Sequence, residues 1–194
     1  NKRILIFSSL PSLQTLAQCA HWFADGTFKV VPKLFKSGQL YTIHCTSGKL
    51  SVPMVYILLA DKSQYTYEYA FEKLRELVRP HTDSPSTWTG PDTFTFDYEK
   101  AALNAAVTVF ACRAHGCLFH LGKAVYRKIQ DLGLSTLYQN NKSVQQRLRI
   151  LMALAFLPVD EVADAFLDLK DSGYFVSNLE PHEQSAINRL LEYF

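Results

Sequence analysis

The period of the hydrophobic pattern changes several times between residues 1 and 120, and the order of those changes limits the folds open to the chain more than any other feature. Strand-like runs occupy Arg3 to Phe7, Trp22 to Val30, Leu40 to Cys45 and Leu50 to Ala60. Between the first two, Pro11 and Ser12 open a short helix through Leu13, Leu16 and Ala17, since proline is tolerated in a first turn. The last three runs are joined by turn-rich pieces, one with Pro32, Ser37 and Gly38 and one with Ser47 and Gly48, which predicts an antiparallel meander. Tyr67, Ala70, Phe71, Leu74, Leu77 and Val78 then recur at spacings of three and four, giving a helix that ends before Pro80.

The stretch from His81 to Asp92 has the composition of a loop, and Thr93 to Phe96 alternates like a short strand. Ala102, Ala105, Ala106 and Val109 follow at helical spacing, Gly116 to Phe119 reads as another strand, and Ala124, Val125, Lys128 and Ile129 continue as a helix that Gly133 can end. Strands alternating with helices imply an α/β domain whose later strands are parallel. After Leu137 only helical patterns remain. Val144, Leu148, Leu151 and Leu154 form one face, Val162, Phe166 and Leu169 a second, and Ile187, Leu190, Leu191 and Phe194 a third after Pro181. We therefore expect an α/β core over residues 1–137 and a helical subdomain over 138–194.

Composition narrows the function classes. With 48% hydrophobic and 20% charged residues the chain can bury a core, but a formal net charge of +2 is too small for the electrostatic footprint of a self-sufficient nucleic-acid-binding domain. The longest apolar stretches, Val52 to Ala60 and Ile150 to Val159, each contain a proline and fall short of the roughly 20 residues a membrane-spanning helix needs. Four cysteines make no disulfide framework at this length and fit a reducing compartment. The chain begins at Asn1 and stops at Phe194 inside an apolar periodic segment, so it is read as a fragment.

A three-stranded meander followed by helix, strand, helix, strand and helix is compatible with several α/β folds, the RNase H-like fold among them. In that fold the strand carrying Asp25 and the strand ending at Asp97 are neighbours, and two carboxylates brought together there suit the hard-oxygen chemistry of Mg²⁺ or Mn²⁺. Each residue has a plainer reading. Asp25-Gly26 is a hairpin signal, and Asp97 stands where a helix N-cap would. Glu99, in the first helical turn, is a weaker candidate that the helix dipole alone would favour.

The strings Trp22-Phe23-Ala24-Asp25-Gly26-Thr27-Phe28-Lys29, Gln39-Leu40-Tyr41-Thr42-Ile43-His44, Val52-Pro53, Thr95-Phe96-Asp97-Tyr98-Glu99-Lys100-Ala101 and Gly116-Cys117-Leu118-Phe119-His120-Leu121 occur in one order. Together with Ala153-Leu154-Ala155-Phe156-Leu157-Pro158 they resemble the transposase domain of Mutator-like elements over most of the chain. The resemblance implies an RNase H-like mixed sheet with flanking helices, followed by an all-α insertion, and an Asp-Asp-Glu metal triad. It makes Asp25 and Asp97 the first two catalytic metal ligands and matches Cys117 and His120 to the family's Cys-x-x-His motif. It also implies Mg²⁺ or Mn²⁺ as cofactor, double-stranded DNA (transposon ends and target) as partner, cleavage followed by strand transfer, and a nuclear location; it leaves homo-oligomer formation open. The family's catalytic Glu follows the insertion, in which this chain ends. Glu161, Glu180, Glu183 and Glu192 are each better explained as solvated residues of amphipathic helices, and the third ligand is assigned to none of them.

Cys112, His115, Cys117 and His120 invite a zinc reading, but both pairs lie within nine residues, whereas zinc sites usually join two pairs through a longer loop. Cys117 is read instead as a small buried residue, and His120, at a strand's exit, as a contact to DNA or to a metal-site group, or else as a cap or core histidine. Lys123, Arg127 and Lys128 on the following helix, and Lys29, Lys33 and Lys36 after the first acidic strand, are candidate phosphate contacts. Trp22 belongs in the core, while Trp88 either stacks on a base or covers the sheet. Two rivals stand beside the transposase reading: a domesticated DNA-binding or interaction module that has lost catalysis, and an unrelated metal-dependent nuclease.

Overall fold

The computed structural model describes residues 3–35, 37–48 and 50–194. The chain divides into two compact units, Asn1–Cys117 and Leu118–Phe194.

The first unit is a six-stranded mixed sheet with helices. Its elements are β1 (Leu5–Ser8), α1 (Leu10–Gln18), β2 (His21–Thr27), β3 (Gln39–Ser47), β4 (Leu50–Leu59), α2 (Gln64–Val78), β5 (Thr93–Phe96), α3 (Lys100–Phe110) and β6 (Arg113–Gly116). The strand order is β1-β4-β3-β2-β5-β6. The β2–β3–β4 meander is antiparallel, as its short connections predict, and β1 adds to β4 in the same sense. Beyond β2 the direction changes: β5 runs parallel to β2, and β6 parallel to β5, because α2 and α3 carry the chain back between them. Pro53 sits inside β4, and the register slips there, between Ile43 and His44 of β3, as a residue unable to donate to the ladder requires.

Trp22, Ala24, Ile43, Tyr41, Phe94 and Phe96 project from one face of the sheet into a core shared with Tyr67, Phe71 and Leu74 of α2 and Ala102, Ala105, Ala106 and Phe110 of α3. The alanine face of α3 lets it pack closely. Trp22 is fully buried, donates its indole N–H to the Leu16 carbonyl across 3.1 Å, and meets the rings of Phe94 and Phe110 edge-on. Trp88 lies 6.1 Å from Trp22 and packs on this core, so of its two readings the covering one is realised.

Two element assignments need correction. The strand expected at Gly116 to Phe119 is Arg113–Gly116, and Leu118, Phe119 and His120 belong to the first turn of a helix. The strand begun at Trp22 stops at Thr27 rather than Val30. Cys117 is half-buried rather than buried.

The second unit holds α4 (Leu118–Asp131), α5 (Ser135–Asn140), α6 (Lys142–Ala153), α7 (Val162–Asp171) and α8 (Pro181–Tyr193), with no strand among the described residues. Val125, Ile129, Val144, Leu148, Leu151, Phe175, Ile187 and Leu190 form its core. Gly133 ends α4 at φ +72°, and α8 starts on Pro181 with a reciprocal Glu180–Glu183 capping box. The expected face of α7 is only partly covered: Phe166 and Leu169 are half-buried and no residue of the helix is fully buried. Among the described residues no helix is long and apolar enough to cross a membrane.

Candidate functional site

Asp25 lies within paired strand, opposite Thr42 of β3, and Gly26 lies opposite Tyr41. The pair is therefore not a hairpin turn. Asp97 follows the last residue of β5, but the N-cap of α3 is Glu99, so Asp97 is not the cap either. Both plainer readings are excluded. β2 and β5 pair with His21 opposite Thr93, Trp22 opposite Phe94 and Phe23 opposite Thr95. The pairs end there: Asp25 lies two residues beyond Phe23 in β2, and Asp97 lies two residues beyond Thr95, in the bend after β5. His21 and Thr95 share the sheet face away from Trp22 and Phe94, with His21 Nε2 2.8 Å from Thr95 Oγ1, and strand alternation puts Asp25 there too.

A buried polar layer lies at the same end of the sheet. Tyr67 of α2 donates to Glu99 Oε1 across 2.8 Å, Gln39 Nε2 donates to the Tyr67 oxygen and, at 3.3 Å, to Glu99 Oε2, and Lys62 Nζ stands 4.0 Å from Oε2. Gln39, Tyr41 and Tyr67 are all shielded from solvent. Burial holds the Tyr41 hydroxyl well above its ordinary range, and the charges of Asp97, Glu99 and Asp25, in that order, add to the effect. Tyr67 is raised by burial first and then by the charge and hydrogen bond of Glu99. Both phenols thus stay protonated, with the charges of Asp97 and Glu99 acting on each and that of Asp25 on Tyr41. Within the described residues the Tyr41 hydroxyl and Asp97 Oδ1 are buried without a hydrogen bond.

Sequence reasoning missed this layer. Tyr67 counts towards the apolar face of α2, which hides its hydroxyl, and Gln39 and Tyr41 carry no spacing that marks them. Glu99 was the one visible member.

Cys117 donates its backbone N–H to the Phe96 carbonyl across 2.8 Å, extending the β5–β6 ladder. Cys112 Sγ points to the Ala106 carbonyl at 3.8 Å, whereas the His115 ring lies 6.5 Å from that of His21. Among the described residues no group of three or more His, Cys, Asp or Glu is arranged to hold a metal ion. His120 sits against Phe119 in the first turn of α4. Lys123 and Arg127 are exposed on that helix, one turn apart, and Lys128 lies over the Tyr193 ring at 5.0 Å. Lys29 and Lys33 are exposed, and Lys36 lies outside the described residues. Glu161, Glu180, Glu183 and Glu192 all belong to the helical unit.

Residues 21–124, more than half of the chain, match the family model of the MULE transposase domain. The chain belongs to that family. The MULE match begins at the first residue of β2 and takes in Asp25, Asp97, Glu99, Cys117, His120 and Lys123, while Arg127, Lys128 and most of the helical unit lie beyond it. This supports a Mutator-like transposase domain and hence a transposase-derived function. No curated protein and no solved structure is significantly similar to the chain.

Proposed function

We propose that this MULE domain is the catalytic core of a DNA transposase, RNase H-like in fold, with Asp25 and Asp97 as metal-holding carboxylates and residues 138–194 as the helical insertion. The observation that carries the reading is the parallel β2–β5 pairing, whose last pair, Phe23 with Thr95, stands two residues before each aspartate, so that the same register continued would bring the two carboxylates together. The strand order supports the fold assignment: an antiparallel meander whose first strand, β2, pairs on its other side with β5 and then β6, both parallel to it and each entered after a helix.

The donor set fits a hard divalent cation. Both candidates are carboxylates, and a buried Asp97 oxygen that makes no hydrogen bond within the described residues is better satisfied by a cation than left alone. Mg²⁺ or Mn²⁺ held by Asp25 and Asp97 would activate the attacking water or 3′-hydroxyl and steady the leaving oxygen. The chain itself supplies orientation. Tyr67 and Gln39 fix Glu99, and the protonated Tyr41 and Tyr67 offer donors rather than further negative charge. Exposed Lys123 and Arg127 are offered as phosphate contacts to double-stranded DNA, with Lys128 a lesser one because its ammonium is engaged by Tyr193. Cys117 and His120 stand at the family's Cys-x-x-His positions, and a nuclear location is proposed from the family resemblance alone.

A second reading, a transposase-derived DNA-binding or interaction module without catalysis, is favoured by the lack of any three-ligand group among the described residues. Calorimetric titration of Mn²⁺ into the chain separates the two. Binding that Asp25→Asn and Asp97→Asn both weaken supports the catalytic reading. If the chain takes up no Mn²⁺ and the two substitutions change nothing but melting temperature, the non-catalytic module takes its place.

A further inference from the structure

The segment between β5 and α3 is only three residues long, Asp97 to Glu99, and its middle residue is in a conformation that L-amino acids avoid. Tyr98 has φ +60°. A non-glycine residue there costs of order 1–2 kcal/mol and persists only where its surroundings over-determine it. Two contacts do so. The Tyr98 ring covers the α-carbon of Gly116 so closely that a β-carbon at Gly116 would run into it. On the other side, Glu99 is the N-cap of α3 but makes no capping hydrogen bond with its side chain. Its carboxylate instead reaches Tyr67 of α2 through Oε1 and Gln39 of β3 through Oε2, with Lys62 also near Oε2. Both carboxylate oxygens are thus engaged by donors from elements outside the turn.

We infer that Glu99 is a positioning residue: anchored by Tyr67 and Gln39, it clamps the turn that presents Asp97 towards Asp25, and it is not itself a metal ligand. The inference rests on the reading of Asp25 and Asp97 as a metal-holding pair. It assigns Glu99 the work of the outer hydrogen-bonding partners of metal sites, which orient a ligand without touching the ion. Gln39 also lies against Gly26, the residue after Asp25, so one side chain borders both acidic strands.

The test is Mn²⁺ titration calorimetry on the 194-residue chain, together with amide hydrogen exchange over Asp97 to Lys100, for Glu99→Ala, Glu99→Gln, Tyr67→Phe and Asp97→Asn. The expected result is that Glu99→Ala and Tyr67→Phe weaken Mn²⁺ binding about tenfold, the lower end for lost outer-shell partners, and speed exchange in the turn. Glu99→Gln, whose amide oxygen still accepts from Tyr67, should restore both. Loss of binding in Glu99→Gln as complete as in Asp97→Asn would make Glu99 a ligand and overturn the inference. Unchanged exchange in Glu99→Ala would overturn it as well. A chain that takes up no Mn²⁺ in any form overturns the metal reading instead, and the exchange comparison then decides the anchoring role by itself.

Discussion

The side-chain amide of Gln39 fills the space that a side chain at Gly26 would need. Gly26 is paired strand rather than turn, so its lack of a β-carbon serves close packing and not backbone freedom. Gln39 is fully buried and bonded to Tyr67, and it cannot swing aside without breaking that bond. Gly26→Ala should therefore destabilise the first unit by about 1–3 kcal/mol, the usual cost of overpacking. Thermal unfolding of Gly26→Ala and of Gly26→Ala/Gln39→Ala checks this, since shortening Gln39 should recover part of the loss.

Trp22 is the largest fully buried side chain of the sheet core and also holds the end of α1 through its indole N–H. Trp22→Ala should cost about 3–5 kcal/mol, in the range for deleting a core aromatic. Denaturant titration followed by circular dichroism would show it as a lower midpoint.

Cys45 is fully buried in β3, and its thiol is pushed up to about 12 by burial, then by its hydrogen bond to Cys19 and the charge Cys19 would carry. At pH 8 it is protonated as well as inaccessible. Iodoacetamide should leave Cys45 unmodified in the folded chain and modify it once denaturant is added, as peptide mass mapping can establish. Modification of Cys45 in the native chain would contradict its placement.

His21 has its pKa lowered from 6.5 by burial and by the neighbouring His115. The folded chain therefore favours neutral imidazole, and the unfolded chain binds more protons between the folded-state value and 6.5. The stability this contributes is fully present above 6.5 and is lost as pH falls through the folded-state value. The melting temperature should drop on acidification through that window, and His21→Asn should flatten the decline. Burial lowers His44 too, against a partial rise from Asp25, so some slope should persist in the variant.

Arg147 of α6 is buried, and its guanidinium donates to the carbonyls of Tyr174 at 3.2 Å and Ser177 at 2.8 Å and to the Ser177 hydroxyl at 2.9 Å. It ties the segment between α7 and α8 to the helical core. Arg147→Met keeps much of the volume but strands those carbonyls, and should lower the stability of the second unit by about 2 kcal/mol or more. Hydrogen exchange should rise first at residues 172–178.

The meander, α2, β5 and α3 are legible in the sequence because each buries one regular face: Trp22 and Ala24 alternate, and Ala102, Ala105 and Ala106 repeat at helical spacing. β6 is not legible. As an edge strand it pairs with β5 alone, so Arg113-Ala114-His115-Gly116 needs no apolar alternation, and the apolar Leu118 and Phe119 beside it mislead although both are exposed. Asp25 inside one strand and Asp97 after another stand out in the sequence as acidic residues, but Tyr41 and Tyr67 do not, because they enter the hydrophobic pattern as rings while their hydroxyls lie in a polar layer.

The β2–β5 pairing also has a kinetic side. Asp25 lies in β2 and Asp97 just after β5, strands whose paired residues, such as Trp22 and Phe94, lie far apart in the chain, with β3, β4 and α2 between them. The meander closes through short loops, whereas β5 must wait for a long one, and contacts of that range form late because their loop entropy is met before they repay it. A chain leaving the ribosome would hold Asp25 in a finished hairpin well before β5, with Asp97 after it, docked on β2. The turn that carries Asp97 is then set in place only after the meander, and an intermediate that holds the meander alone would lack it.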